Sequence, residues 1–327
     1  SFDQHIDSWD VSQVETMESM FKGAFASCVT LLFNKPIDSW NVSQVKSMEG
    51  MFFEAESFNQ PIGSWNVSQV TSMNSMFDNA ASFDQHIDSW DVSQVETMES
   101  MFKGAFASCV TLLFNKPIDS WNVSQVKSME GMFFEAESFN QPIGSWNVSQ
   151  VTSMNSMFDN AVIFNQPIDS WDVSQVENMA ELFRAANSFN LPIDSWNVSK
   201  VTDMVFMFYT ADLFNQSIDT WNVSQVKDMQ RMFNRAPSFN QPLDSWDVSQ
   251  VKDMSKMFAD AVSLNQPIDS WNVSQVKDMD GMFLAAEAFN QPIDSWDVSQ
   301  VEDMRDMFFR ADAFNKPLDS WDVSQVS

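Results

Sequence analysis

Aspartate occurs two residues before tryptophan in eleven places along the chain, and carboxylates repeated in this way could hold a hard cation such as Ca²⁺. If the copies stack about 4.8 Å apart, neighbouring carboxylates repel by about 3.5 kcal/mol at an effective dielectric of 20, and something must offset this. One answer is local, because an Asp can accept backbone N–H bonds in an Asx turn. The alternative is a bridging Ca²⁺. Its candidate ligands are Asp38, Asp119, Asp169, Asp194, Asp219 and Asp244.

Asparagine directly follows tryptophan in seven places and begins the triplet Asn-Val-Ser, the acceptor for N-glycosylation in a eukaryotic secretory route. The alternation of polar and apolar residues around it is typical of a short strand with one buried face, which would turn the Asn outwards. The resulting flat polar face has three interpretations: glycosylated, in contact with a periodic partner such as a polysaccharide, or merely solvated. The seven residues are Asn41, Asn66, Asn122, Asn147, Asn197, Asn222 and Asn272.

A six-residue apolar insertion occurs twice, near residues 25–32 and near residues 106–113. Either it lengthens a helix and buries its apolar side chains, or it projects as an apolar bulge that docks a partner. Its two cysteines are three repeats apart, about 14 Å at about 4.8 Å per repeat, whereas a disulfide reaches about 7 Å. We therefore expect an intermolecular disulfide or free thiols. The interface candidates are Phe25, Cys28, Leu31, Phe106, Cys109 and Leu112.

The sequence lacks the groupings that catalysis needs. Repetition of one unit produces ladders of like groups, whereas catalysis needs unlike groups at one place. There is no GxSxG, phosphate-binding glycine loop, HExxH or CxxC motif. His5 and His86 replace the proline of a turn and are duplicate copies, which makes them poor ligand candidates. We expect no enzyme, no catalytic or metal centre and, Ca²⁺ apart, no cofactor.

Charge and hydropathy exclude further classes. The chain has 45 acidic and 17 basic residues and a net charge of −28, so a nucleic acid would be repelled. No apolar run is long enough to span a membrane, and residue 1 does not begin an export signal. The sequence is therefore interpreted as a mature fragment that does not span a membrane.

The thirteen tryptophans define the repeat. They are 25 residues apart, except for two intervals of 31 that contain the insertions. Residues 1–80 recur unchanged as residues 82–161, so a three-repeat block with one insertion appears twice. This pattern predicts a single solenoid domain over residues 1–327, built from about 13 coils of 25 residues.

Each coil contains two predicted elements. A short strand around Trp65 is indicated by alternation, and a helix from Val70 to Ala80 by apolar residues three and four apart. Ser68 is the predicted N-cap, and the sequence SQVE at residues 12–15 resembles a capping box. The predicted fold is an α/β, leucine-rich-repeat-like, right-handed solenoid with one parallel β-sheet face and one short-helix face.

The coils must stack, because one coil cannot fold alone. About eight buried apolar side chains contribute about 1.5–3 kcal/mol each, whereas ordering 25 residues costs about 25–50 kcal/mol in backbone entropy. Stacking places Trp on Trp and Phe on Phe. An Asn occurs at the turn in eleven coils, after Phe in ten and after Leu264 in one, and Asn34 and Asn59 are examples. These Asn are interpreted as an internal ladder that bonds the backbone of the neighbouring coil.

The unit FNQPIDSWDVSQVKDM, followed by MF and an Ala, occurs with small variations at residues 239–259 and 289–311. It resembles the repeat of BspA-like leucine-rich-repeat surface proteins, a family that includes the mycoplasma-type lipoprotein repeat of unknown function. The resemblance covers the whole chain. It implies an extracellular or cell-surface solenoid and, in some members, an adhesin for host or matrix proteins.

Two functions follow as hypotheses. The first is a surface scaffold that mediates recognition or adhesion with a protein or glycan ligand. The alternative is a structural subunit that assembles with other copies of itself, end to end, into an extracellular fibre or coat. Its motivation is the lack of polar caps on the terminal coils, since solenoids normally close their apolar ends.

Overall fold

The computed structural model describes residues 3–23, 32–104 and 111–327. The chain divides into two compact units, Ser1–Pro167 and Ile168–Ser327. Each unit is a stack of the predicted coils. Whether the whole chain forms one continuous right-handed solenoid stays a prediction.

Within a coil the backbone runs through a series of tight turns. In the coil that contains Trp221, the Trp221 amide donates to the Ile218 carbonyl at 3.1 Å and the Val226 amide to the Val223 carbonyl at 2.9 Å. Further along the coil, the Met232 amide donates to the Met229 carbonyl at 3.1 Å. Each of these hydrogen bonds links residues three apart and closes a turn.

The other amides in the second half of the coil bond to the next coil. Met229, Arg231, Phe233 and Arg235 donate to carbonyls 24 residues ahead, at 2.8–3.1 Å. Alternate amides therefore close turns within the coil and join adjacent coils, which satisfies the buried backbone. Isolated parallel bridges join Thr16, Ser47, Ser72, Thr97, Ser128 and Ser153 in series in the first unit, and Asn178, Asp203, Asp228, Asp253, Asp278 and Asp303 in the second.

The prediction of a helix and a strand in each coil is wrong for the described residues, which contain neither a helix nor a strand longer than one bridge. In the predicted helix of residues 70–80, Ser75 and Asn79 have positive φ values of 52° and 58°, which a right-handed helix does not allow. Ser68 and the SQVE sequence therefore cap no helix. The parallel bridge lies at Ser72, not in the predicted strand around Trp65. The described residues accordingly contain no helix able to span a bilayer.

The core consists of aromatic ladders. Trp40 and Trp65 stack with ring centroids 6.5 Å apart and planes 3° from parallel, and Phe52 lies 5.5 Å from Phe77 in the next coil. The Trp65 indole Nε1–H donates to the Ile37 carbonyl of the preceding coil at 3.1 Å. The predicted stacking of like rings is confirmed, and each indole also bonds to the neighbouring backbone.

The asparagine ladder is confirmed as an internal feature. Asn34 Oδ1 accepts the Asn59 amide at 2.9 Å and the Gln60 side-chain amide at 2.8 Å. The same bonds recur in the second unit, where Asn190 Oδ1 accepts the Asn215 amide at 2.9 Å. Asp84 takes the place of Asn and accepts the Asn115 amide at 3.0 Å. The side-chain oxygens of the ladder are therefore occupied by hydrogen bonds between coils.

Candidate recognition face

The aspartates considered as calcium ligands lie at the first turn of the coil. Most of them, including Asp38, Asp119 and Asp194, are exposed. Their backbone carbonyls accept the hydroxyl of the next coil, as Asp119 does from Ser145 at 2.9 Å. The Asp219 carboxylate accepts the Ser245 amide at 3.2 Å, so its backbone partner lies in the next coil rather than in a local Asx turn. Asp169 and Asp244 bond their next coils through the carbonyl in the same way. In the described ranges, no group of three or more His, Cys, Asp or Glu side chains is arranged to hold a metal ion.

The asparagines of the Asn-Val-Ser triplets are exposed, and their side chains serve the backbone. Asn66 Oδ1 accepts the Ser68 amide at 3.1 Å, and the other six triplets make the same bond at 3.1–3.2 Å, from Asn41, Asn122, Asn147, Asn197, Asn222 and Asn272. Asp replaces Asn in other coils. At Asp91 the Ser93 hydroxyl and amide hold the carboxyl pKa below its usual value. This face repeats one local turn in every coil.

Little of the apolar insertion falls within the described residues. Leu112 is buried, in agreement with the inward interpretation at that position, whereas the adjacent Leu113 is exposed. Phe25, Cys28, Leu31, Phe106 and Cys109 lie outside the described residues. The proposed partner contact and the cysteine chemistry stay predictions.

A third set of positions behaves differently, because its residue type changes from coil to coil. The second and third residues after each tryptophan are always Val and Ser. The thirteenth residue, by contrast, has eight types in twelve coils. Its members are Lys22, Phe53, Asp78, Lys103, Phe134, Asp159, Arg184, Tyr209, Asn234, Ala259, Leu284 and Phe309.

The ninth and tenth residues after the tryptophan vary in a similar way and lie beside the thirteenth. In the first unit, Glu99, Ser100 and Lys103 line one groove together with the equivalent residues of the next coils. At the thirteenth position Asp78, Asp159, Asn234 and Ala259 are buried. We call the exposed and half-buried residues at these three positions, the ninth, tenth and thirteenth after the tryptophan, the recognition face.

In the second unit the recognition face carries an arginine–aromatic cluster. The Phe206 and Tyr209 rings meet edge to face at 5.3 Å. The Arg231 guanidinium lies 5.2 Å from the Phe206 centroid, and that of Arg184 lies 5.8 Å from the Tyr209 centroid. Arg184 also pairs with Glu181 at 2.8 Å. Arginine and aromatic side chains are the types enriched in binding hot spots.

Backbone geometry helps to present these side chains. The tenth residue has positive φ in every described coil, for example 57° at Phe206 and 55° at Arg231. A residue other than glycine costs conformational energy at positive φ, so the backbone is locally strained at these positions.

Sequence interpretation missed the recognition face because it followed the positions that repeat. The recognition face could have been found by aligning the coils on their tryptophans and identifying the positions at which the residue type differs. A surface that recognises one partner needs different chemistry at different places, whereas stacking needs the same chemistry everywhere.

Four overlapping matches to one family model cover the entire sequence, at residues 1–112, 106–193, 182–287 and 242–327. The model describes "Mycoplasma protein of unknown function, DUF285". The chain belongs to this family. The suspected resemblance to the mycoplasma-type repeat is thereby confirmed.

Other comparisons give weaker likenesses. No curated protein matches the sequence significantly. A leucine-rich repeat protein from Bacteroides ovatus ATCC 8483 is 11% identical over 86% of this chain and 82% of its own, with a TM-score of 0.30. The structure titled "Crystal structure of TLR13-ssRNA13 complex" is 8% identical over 87% of this chain and 56% of its own, with a TM-score of 0.17. These TM-scores are too low to define a shared fold.

Proposed function

We propose that this DUF285 chain is a non-catalytic repeat scaffold at the cell surface or outside the cell, and that it recognises a protein or glycan through its recognition face. The proposal rests on a difference in variability between two sets of coil positions. Side chains that join the coils are repeated nearly unchanged, whereas the ninth, tenth and thirteenth residues change.

The chemistry of this face suits recognition. In the second unit, Arg184, Phe206, Tyr209 and Arg231 form one contiguous cluster with partly exposed rings and guanidinium groups. The aromatic rings supply large contact area with few rotatable bonds, and Arg adds directional hydrogen bonds. An extended protein or glycan could follow the face from coil to coil.

The test is a binding screen against matrix proteins and glycans, followed by a face-neutral variant. That variant carries Arg184→Ala, Phe206→Ser, Tyr209→Ala and Arg231→Ser, all residue types that other coils have at the same positions. The matched control is Asn197→Asp with Asn222→Asp on the turn face, where other coils have Asp. We expect the face-neutral variant to lose at least tenfold in affinity and the control to bind as the parent does. Equal binding by both would contradict the proposal.

End-to-end self-assembly is the second candidate. Its support is the apolar exposure of residues that are buried at the equivalent positions of inner coils: Trp9 is 50% exposed and Val323 51%. Such side chains could continue the ladders into another copy. Light scattering tests this candidate, because a stable species of 37.3 kDa at high concentration would contradict it.

A further inference from the structure

The first unit contains a groove on the recognition face that spans three successive coils. Its volume is about 230 Å³, below the range of about 300–1,000 Å³ typical of pockets for drug-sized ligands. It suits one small ring at a time and opens to the surface. A ligand that enters it could therefore be one unit of a longer chain.

The groove exists because the residues on its floor are small. Gly131 lies between Ser100 and Ser156 at the tenth position, where the second unit carries Glu181, Phe206 and Arg231. Gly131 has a φ of 57°, and an added Cβ would come within 3.3 Å of Ser100 Oγ. Glycine thus both relieves the backbone and keeps the groove open.

The walls combine an aromatic ring with donors and acceptors. Phe134 is half-buried, and Lys103 Nζ lies 5.1 Å from its ring centroid. Glu130 accepts the Ser153 hydroxyl at 2.6 Å and retains further acceptor capacity. Among the described residues, neither Glu99 nor Lys103 has an ion-pair partner within 4.0 Å. Acceptors, donors and a half-buried aromatic ring, over which Lys103 lies, are therefore found within one small volume.

Charge restricts the ligand class. An anion would meet two carboxylates in a chain of net charge −28. A cation would be repelled by the positive charge of the Lys103 ammonium, which lies over the ring. A neutral group with several hydroxyls and an apolar face matches both the ring and the mixed donors and acceptors.

The duplicated block supplies the same residues a second time. Phe53, Lys22 and Gly50 correspond to Phe134, Lys103 and Gly131. Lys22 Nζ lies 4.5 Å from the Phe53 centroid, and Gly50 also has a φ of 57° with Ser19 Oγ at 3.3 Å from its Cβ position. Two equivalent sites on one chain would raise the avidity for a repeating polymer.

Resting on the proposed function, we propose that these two sites bind neutral hexose units of a glycan. The unit takes the place of the Lys103 or Lys22 ammonium over the Phe134 or Phe53 ring, and its hydroxyls bond to the displaced Lys and the flanking Glu side chains. The sites need no metal and perform no chemistry on the sugar.

The experiment is calorimetric titration of the intact chain with neutral hexaoses of glucose, mannose and galactose, with saturation-transfer NMR to locate the bound ring. At least one hexaose is expected to bind two sites per chain. Phe134→Ala should leave one site, and Phe53→Ala with Phe134→Ala should leave none, because the ring is removed. One coil already carries Ala at this position, Ala259, so the fold accommodates the substitution. Glu99→Gln should weaken the remaining site in the Phe53→Ala background by about tenfold or less. Phe309→Ala, a substitution at the same coil position but outside both grooves, is the control and should retain both sites. Melting curves verify that each variant is folded.

Unchanged binding in the double Phe variant, or no binding of any hexaose by the parent chain, would overturn this inference. The proposed function is tested separately by the face-neutral variant of the second unit. Suppose that a matrix protein binds and its binding depends on Arg184 and Tyr209, while no hexaose binds. That result would contradict the glycan sites and still support the recognition function.

Discussion

At the parallel bridge of each coil, the first unit carries hydroxyl side chains and the second unit carries carboxylates from Asp203 onwards. Most of these side chains accept the amide two residues ahead. Ser72 and Thr97 are exceptions, since Ser72 Oγ has no partner and the Glu99 amide donates to Asn74 Oδ1 instead of Thr97. In the first unit these bonds are long, for example 3.4 Å from the Glu49 amide to Ser47 Oγ. In the second they are 2.8–3.0 Å, as from the Ser255 amide to Asp253 Oδ1.

The carboxylates at the bridges of the second unit have an electrostatic cost. Burial is the main cause that raises the pKa of Asp228 and of Asp278, and the charge of the neighbouring Asp253 raises both further. The hydroxyl ladder carries no such charge, and its Ser72 Oγ even lacks a hydrogen-bond partner. The same backbone turn is therefore closed either by long hydrogen bonds to neutral hydroxyls or by short hydrogen bonds to carboxylates, and the carboxylates of adjacent coils repel one another. The following predictions test how far the two units differ.

The largest predicted loss of stability comes from removing one tryptophan. It should be the same in both units, because the indole ladder does not differ between them. Trp121 and Trp246 are each 3% exposed, and each donates to an Ile carbonyl of the preceding coil at 3.0 Å. Replacing either by Ala should cost about 3–5 kcal/mol in the free energy of unfolding, since a large cavity and an unpaired carbonyl remain. Denaturant unfolding read by amide exchange in each unit measures this. A large loss in only one unit would contradict a shared stacking mechanism.

The first unit contains its own buried acid, Asp78, at 4% exposure. Desolvation, opposed by the charge of Lys103, raises its pKa from 3.8 to about 7. Because the folded state holds the proton more tightly, this group contributes stability below pH 3.8 that is lost as the pH rises through about 7. Three pKa units correspond to about 4 kcal/mol as an order of magnitude.

Asp78→Asn should therefore stabilise the chain at pH 8 and have little effect near pH 4. Asp91→Asn is the control of opposite sign, because the Ser93 hydrogen bonds lower the Asp91 pKa and its contribution is present above the unfolded value. Urea unfolding across this pH range compares the two. A stabilisation by Asp78→Asn that does not change with pH would show that the buried charge is not its cause.

Replacing an aspartate at a bridge of the second unit by serine should reduce the electrostatic difference between the two units. Asp253→Ser gives the second unit a residue of the first, and removes a charge that raises the pKa of Asp228 and Asp278. Both pKa values should fall but stay above the ordinary value, because desolvation is the larger cause and remains. Carboxyl NMR titration measures the shift, with Asp269→Ser on the first turn of the coil as control. Unchanged values would mean that the carboxylates do not interact.

The smallest effect concerns the strained residues that both units share. Ala185 has a φ of 51°, so Ala185→Gly should stabilise the chain by about 1 kcal/mol. The adjacent Ala186 is fully buried and is not among the residues of positive φ, so Ala186→Gly should destabilise it by about 1 kcal/mol or more. Thermal melting compares the pair. Destabilisation by both substitutions would refute the strain assignment at Ala185.

Much of the architecture could be predicted from the sequence, because repetition forces like residues together. The Trp and Phe ladders and the internal Asn34–Asn59 contact follow from the period alone. The helix could not be excluded, since Val70, Met73, Met76 and Phe77 have helical spacing that a chain of three-residue turns reproduces. The signal against a helix is positive φ at Ser75 and Asn79, and neither residue is the glycine that normally marks it.

The site was harder to predict for a different reason. Asn66 and Asp91 seemed suited to chemistry because they recur, yet the structure uses them to close the same turn in every coil. At the thirteenth position Phe occurs only at Phe53, Phe134 and Phe309, and at the tenth position Arg occurs only at Arg231. Function in this fold is expected at such exceptions to the repeat.

The central structural claim is that alternate amides join one coil to the next instead of forming a helix within the coil. Through-hydrogen-bond NMR couplings between amide nitrogen and carbonyl carbon test it directly. The Phe233 nitrogen should couple to the Met257 carbonyl carbon, across the 2.9 Å hydrogen bond to the adjacent coil. A coupling from Phe233 to Met229, four residues earlier, would show a helix and contradict the account.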